Sequence, residues 1–295
     1  NDCPLRSIDE IKNFKKKFGD FDVLLTQFSY AAWKGGKKGK KIREKAAEEK
    51  LNNIYNQSKI LNCKAVIPFA SFIYFSNKIN FYMNDSINTP KKVSEYLSNK
   101  KIKSVFMSPG EKQILSELKQ DVKSLNFWDK KFTLTYEQKE KDFYDKKKEI
   151  EELEIDFKDY QKKLFLKNSK FLILLLSKLS FVGVFQNINI FLIDKNKNYK
   201  YSIFEGLSEV NEDNFDILMH SESLDFIFKN DFGFDTLTVN GCFECDAKNF
   251  SKITKTLAIG SLNSMGYNLN FTMIFKINII LLFLKKLLVF VKKLK

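Results

Sequence analysis

Blocks of apolar residues alternate with charged ones over the first third of the chain, and their lengths predict alternating helices and strands. Ser7-Ile8-Asp9-Glu10 opens a helix. The serine can cap it while the glutamate three residues on reaches back to the cap, a reciprocal capping box. Gly19 then ends it. Phe21 to Thr26 (FDVLLT) is an apolar run of buried-strand length. From Lys41 to about Leu61, Ala46, Ala47 and Leu51 recur among charges, as in a helix. Ala65 to Phe69 (AVIPF) reads as a second buried strand, with Pro68, which has no N–H to give a ladder, near its end. Strand–helix–strand order predicts a parallel α/β layer. Lys101 to Met107 (KIKSVFM) repeats the strand pattern and stops at the turn Ser108-Pro109-Gly110.

Residues 111–164 are mostly polar and helical in pattern. Phe143, Ile150, Phe157 and Leu164 are spaced as heptads, with Leu153 and Tyr160 in the second seam position. The run lasts only about three heptads, so a helix or helical hairpin packed on its own protein is expected over a coiled coil.

Residues 165–275 carry the pattern of a small α+β unit. Phe171 to Leu176 (FLILLL), flanked by Lys170 and Lys178, is too short to span a bilayer. Ile188–Ile193 and Tyr199–Phe204, joined by Asp194-Lys195-Asn196-Lys197-Asn198, predict a hairpin. Phe215–Met219 is a further strand, and Ser221–Phe228 a helix with Ser221 as its cap. Thr236 to Phe243 (TLTVNGCF) alternates as a strand does. From Ile274 onward, Asn278, Lys285, Lys286, Lys292 and Lys293 share one face of an otherwise apolar helical pattern. That is a basic amphipathic tail, equally suited to a protein core or an anionic membrane. The chain thus divides into 1–110, 111–164, 165–275 and a tail over 276–295.

Composition narrows the partners. The 295 residues include 30 Phe and only 4 Pro, which argues for packed cores. The formal charge is +14, almost all from Lys, since only Arg6 and Arg43 are arginines. Specific nucleic-acid readers rely on the arginine fork, so a lysine-rich solvated surface is the expectation and no specific nucleic-acid partner is assigned. The cysteines Cys3, Cys63, Cys242 and Cys245 have no disulfide-framework spacing, and a cytoplasmic location is expected. Cys242-Phe-Glu-Cys245 has the gap of a zinc pair but lacks a second pair, so incidental cysteines on a strand are expected. The lone His220 reads as a packed histidine at a strand-to-helix corner, and no nucleophile elbow accompanies it. Gly35-Gly36 is followed by lysines and lacks phosphate-loop spacing.

Three stretches carry a resemblance: Asn1-Asp2-Cys3, FDVLLTQFSYAAW (Phe21–Trp33) and AVIPFASFIYFSNKINFYMNDSINT (Ala65–Thr89). Together they resemble the C-terminal part of the metallo-β-lactamase fold, in a branch similar to CMP-N-acetylneuraminate hydroxylase. The resemblance implies the C-terminal half of an αββα sandwich, followed here by a helical segment and a small α+β domain. It implies that the chain starts inside a domain whose first half supplies a His-x-His-x-Asp-His loop. Asp2 falls where the carboxylate bridging two metals, zinc or iron, would stand. Such metals lower the pKa of a shared water to give hydroxide near neutral pH. Two positions depart from the pattern: Ala70 and Asn77 stand where relatives carry a ligating histidine. This chain alone is therefore expected to hold no metal and to be inactive. The implied parent is a hydrolase or hydroxylase-like enzyme for a small anionic substrate, with the Gly35–Lys41 lysines attracting the anion; a homo-oligomer is compatible with it.

A second resemblance, over Asp216–Phe243, is to the end of a sterol-carrier-protein-like domain, in which strand, helix and a final strand close an apolar tunnel. The alternative reading is a non-catalytic protein that meets lipid or a membrane surface through the α+β unit and the basic tail.

Overall fold

The computed structural model describes residues 5, 7–136, 144, 146–179 and 182–270. It mixes helices with two small sheets, and the chain divides into two compact units. The first is Asn1–Gly35 with Gly39–Lys141, and the second is Gly36–Lys38 with Asp142–Lys295. The helix over Val122–Tyr136 belongs to the first and the helix over Ile150–Lys167 to the second.

The first unit begins with α1 (Ile8–Phe18). The Glu10 N–H donates to Ser7 Oγ at 3.2 Å and the Ser7 N–H to Glu10 Oε2 at 2.9 Å, so the capping box read from sequence is in place. β1 (Val23–Thr26), α2 (Lys40–Ile60) and β2 (Ala65–Pro68) follow, and β1 pairs with β2 in parallel, Val23 opposite Ala65. This is the strand–helix–strand unit that the pattern predicted. One side of the pair packs Ala65, Val23 and Ile67 against Val105, Leu118 and Met107. Helix α2 contacts both strands, with Leu51, Ile54 and Ser58 among its buried residues.

The strand expected over Lys101–Met107 is reduced to a single parallel bridge, Val66 to Ser104. The reason is Pro68: the bridge is made by the Val66 N–H on the Lys103 carbonyl and the Val105 N–H on the Val66 carbonyl, both at 2.8 Å, and the next bond along the ladder would need an N–H that Pro68 lacks. On the opposite edge the Phe106 N–H donates to Gln120 Oε1 at 2.7 Å and its carbonyl accepts from Gln120 Nε2 at 3.0 Å. A 3-10 turn over Phe81–Ser86, then α3 (Pro90–Asn99) and α4 (Val122–Tyr136), complete the unit. Trp128 of α4 stacks on Phe72, centroids 3.7 Å apart, and its indole N–H donates to the Met107 carbonyl at 2.9 Å.

The second unit is built on α5 (Ile150–Lys167), α6 (Lys170–Lys178) and a sheet of β3 (Ile188–Leu192), β4 (Lys197–Ser202), β5 (Gly206–Val210) and β6 (Ile217–Met219). The strand order is β5-β4-β3-β6, antiparallel except that β6 runs parallel to β3. The expected hairpin is β3–β4. Ile188, Ile190 and Leu192 alternate inward. Leu153, Phe157, Tyr160 and Leu164 form the buried face of α5, so the seam read as heptads is a helix packed on its own unit. Its first position, Phe143, lies outside the described residues. Phe157 meets Tyr201 edge-on at 5.8 Å, and Phe228 packs beside both Phe157 and Tyr160 at 5.6 Å.

Helices α7 (Ser221–Lys229), α8 (Gly233–Asn240), α9 (Ala247–Leu257) and α10 (Ile259–Ser264) follow. Two corrections arise here. Ser221 is the first helical residue of α7, and His220 holds the cap position. Thr236–Phe243 is not a strand; most of it is α8, which ends where Gly241 takes a left-handed conformation at φ +64°. A strand would send Leu237 and Val239 to one face. In the helix Leu237 is buried and Val239 is 56% exposed. Gly233 tolerates no side chain at the start of α8, because a Cβ would stand 2.6 Å from the Ile227 Cα. The final strand that the sterol-carrier resemblance implied is thus a helix. The tail over 276–295 lies outside the described residues.

Candidate functional site

The loops after β1 and β2 leave the same end of a parallel pair, the end where open α/β sheets place their ligand crevices. The two sequence stretches that carry the family resemblance are knitted together there by buried polar side chains. The Phe28 N–H donates to Ser71 Oγ at 3.0 Å, and Ser71 Oγ donates to the Ser29 carbonyl at 3.2 Å. Ser29 Oγ accepts from the Asn88 N–H at 3.0 Å. Asn88 Nδ2 donates to the carbonyls of Phe28 and Ala47, both at 2.8 Å, tying loop, α2 and the end of the 3-10 segment into one block. The Tyr30 hydroxyl donates to the Met83 carbonyl at 2.5 Å. Asn84 closes its own loop, accepting from the Phe75 N–H at 2.9 Å and donating to the Phe75 and Phe81 carbonyls at 2.7 and 2.9 Å. Each of these loop groups would cost about 1–3 kcal/mol if buried without a partner, so the network sets the loop's shape.

At the rim of this block stands an ion pair. Arg43 of α2 donates through Nε and Nη2 to the two oxygens of Asp85, at 2.8 and 2.6 Å, a two-point fork. Its Nη1 reaches the Lys34 carbonyl at 3.2 Å and the guanidinium lies 4.9 Å from the Tyr82 ring centroid. The Arg43 side chain is 1% exposed and that of Asp85 30%. Burial pushes the Asp85 carboxyl up, but hydrogen bonds from Arg43 and Ser86 and the charges of Arg43 and Lys40 outweigh it and hold it below its ordinary value. Burial likewise works against the Arg43 charge, and Asp85 more than restores it. Asp85 is therefore a fixed anion. It faces an open polar cleft of about 400 Å3, lined also by Lys40, Glu44, Glu48, Lys92 and Tyr96. The Tyr96 hydroxyl donates to Asn52 Oδ1 at 3.0 Å, and burial with the nearby Glu48 raises its pKa. Mixed charges around a locked ion pair can hold a small polar molecule in place.

The residues singled out from sequence fall as follows. Asp2 lies outside the described residues. Ala70 lies two residues past β2 with φ +59°, and its methyl has no donor to offer a metal. Asn77 is buried and its Oδ1 accepts from the Ile79 N–H at 3.0 Å, so it forms a turn. Among the described residues no group of three or more His, Cys, Asp or Glu could hold a metal ion. In the Gly35–Lys41 loop, Gly35 (φ +79°) and Gly39 make a tight turn, since a Cβ on Gly39 would stand 2.2 Å from the Gly35 carbonyl.

In the second unit, Ser221, His220 and Asp194 do come together. Asp194 accepts from the Ser221 N–H at 2.8 Å and from its hydroxyl at 2.6 Å, while His220 Nδ1 stands 3.9 Å from the same carboxylate. His220 stacks on Tyr144 at 3.7 Å. Ser221 is fully buried and gives its proton to the carboxylate instead of an imidazole, and its Oγ accepts the Lys148 N–H at 2.8 Å. This constellation is a helix cap, with Asp194 from the β3–β4 turn doing what the sequence assigned to Ser221. Cys242 and Cys245 are not on a strand; they flank an isolated bridge at Glu244, and burial raises both thiols. Neither is a reactive thiolate.

Sequence reasoning missed Arg43, Asp85 and Asn88. The signal it could have used was Arg43 itself, a rare arginine in a chain of lysines. No protein-family model, curated protein or solved structure matches the chain. What stands is the class: a chain mixing helices with small sheets, and among its described residues no helix long and apolar enough to cross a membrane.

Proposed function

We propose that the first unit is the C-terminal half of a metallo-β-lactamase-fold protein of the hydrolase or hydroxylase-like type, acting in the cytoplasm on a small anionic substrate. The observation that supports this reading is the buried network itself. The two separated stretches that carry the resemblance, Phe21–Trp33 and Ala65–Thr89, meet at the carboxyl ends of paired parallel strands through Ser29, Ser71 and Asn88. In this reading the unit supplies a frame, and Asp2 is its one contribution to a metal site. Lys40 and Lys92 at the cleft rim attract the anion, and Asp85 keeps Arg43 from competing for it.

The test is elemental analysis of two proteins. The chain as it stands is expected to retain no stoichiometric zinc or iron. The chain extended through the coding sequence upstream of Asn1 is expected to bring in a His-x-His-x-Asp-His loop and to bind metal, with the affinity cut by Asp2→Ala. An upstream sequence without that loop, or metal binding indifferent to Asp2→Ala, would sink the reading.

A further inference from the structure

Helix α6 buries one face and presents a second apolar stripe outward. Leu172 and Ile173 are buried in the second unit. Phe171, Leu174 and Leu175 are 62%, 39% and 43% exposed, and with Lys178 they follow the spacing of one helical face. An apolar stripe rimmed by charged residues is the form that interaction surfaces take.

The charges along the stretch that carries the stripe all have one sign. Lys162, Lys163, Lys167, Lys170 and Lys178 fall between Gln161 and Ile193, a stretch without a single Asp or Glu. Lys167 lies 3.7 Å from Asp231, and Lys170 lies 5.4 Å from the Phe165 ring centroid. Among the described residues, Lys170 and Lys178 make no ion pair, so their charge is available to a partner. Along the helix the stripe has leucine and phenylalanine in the middle and lysines at both ends. A fluid interface needs no matching groove to accept an apolar stripe, and its anionic headgroups supply the countercharge to the lysines.

We infer that the α6 face, with Leu174, Leu175, Lys170 and Lys178, docks on an anionic phospholipid surface. The inference concerns the second unit and does not rest on the function proposed for the first. The leucines enter the headgroup boundary while the lysines pair with lipid phosphates and carboxylates.

The experiment is flotation of the full chain with vesicles of phosphatidylcholine alone or mixed with phosphatidylserine, at low and high salt. Binding to the mixed vesicles, weakened by salt, is expected. Leu174→Ser with Leu175→Ser should lower the partition by about tenfold or more. Both side chains are exposed, so circular dichroism should stay unchanged. The charge-reversed pair Lys170→Glu with Lys178→Glu reads the electrostatic part without touching the apolar one. Every variant keeps residues 271–295, so differences among them report on α6 alone. Wild-type chain that ignores anionic vesicles, or variants that float as well as wild type, would overturn the inference.

Discussion

Arg43 and Asp85 are joined by two hydrogen bonds across a sequence gap of 42 residues, with the arginine side chain out of water and the carboxylate partly in it. Breaking such a pair leaves a charge stranded, at about 3–5 kcal/mol when both partners are fully buried. Because Asp85 keeps 30% of its side chain exposed, Arg43→Ala is expected to cost less, about 2–3 kcal/mol in urea unfolding. Arg43→Lys should fall between, since an ammonium keeps the charge and loses the fork. The pH dependence has a definite sign. The folded Asp85 carboxyl is held below its ordinary value, so its contribution is fully present above the unfolded value and is lost as pH falls through the folded one. Acid titration of stability should therefore show a fall below about pH 4 that is smaller in Asp85→Asn. An equal fall in the two proteins would place the acid sensitivity elsewhere. At Asn88, the replacement Asn88→Ala takes the shared donor from the Phe28 carbonyl and from the Ala47 carbonyl, which keeps its bond within α2, and is expected to lower stability by about 1–3 kcal/mol, read as a shift in the denaturation midpoint at unchanged slope.

Helices supply the clearest contrast between local and non-local causes. Helix α1 is capped from within, by Ser7 and Glu10, three residues apart. Its start was legible because every partner lies within one turn. Helix α7 is capped by Asp194, which stands 27 residues before Ser221 on the far side of three strands, and no local pattern points to it. Asp194→Ala should cost about 1–2 kcal/mol and loosen the first turn of α7, measured by faster amide hydrogen exchange at Ser221. Ser221→Ala should cost less, since the backbone N–H still reaches the carboxylate. The misreading of Thr236–Phe243 has a different origin. Thr-Leu-Thr-Val alternates over four residues, a length at which the periods of strand and helix are hard to separate. The turns around it decide: Gly233 fits only against the backbone of Ile227, and Gly241 supplies the left-handed stop. The strand expected over Lys101–Met107 stops at one bridge because the next ladder bond would have to come from Pro68, which has no N–H.

The whole chain carries +14 formal charges, nearly all on lysines. Such a molecule attracts polyanions through counterion release without reading them. Binding to duplex DNA is expected to be weak, steeply salt-dependent and nearly the same for unrelated sequences. A preference of tenfold or more for one duplex, in competition at physiological salt, would refute the absence of a specific nucleic-acid partner.

By itself the sequence determined the local matters: the capped start of α1, the parallel strand–helix–strand order, the buried face of α5 and the β3–β4 hairpin. Each follows from periodicity or from partners within a few residues, and backbone geometry converts these directly into structure. The tertiary structure alone decided which polar residues are tied together. Arg43 finds Asp85, Asn88 finds Phe28 and Ala47, and Asp194 finds Ser221 only after distant segments are packed. Burial then makes those contacts obligatory, because a polar group taken out of water must have a partner, and the fold chooses which one.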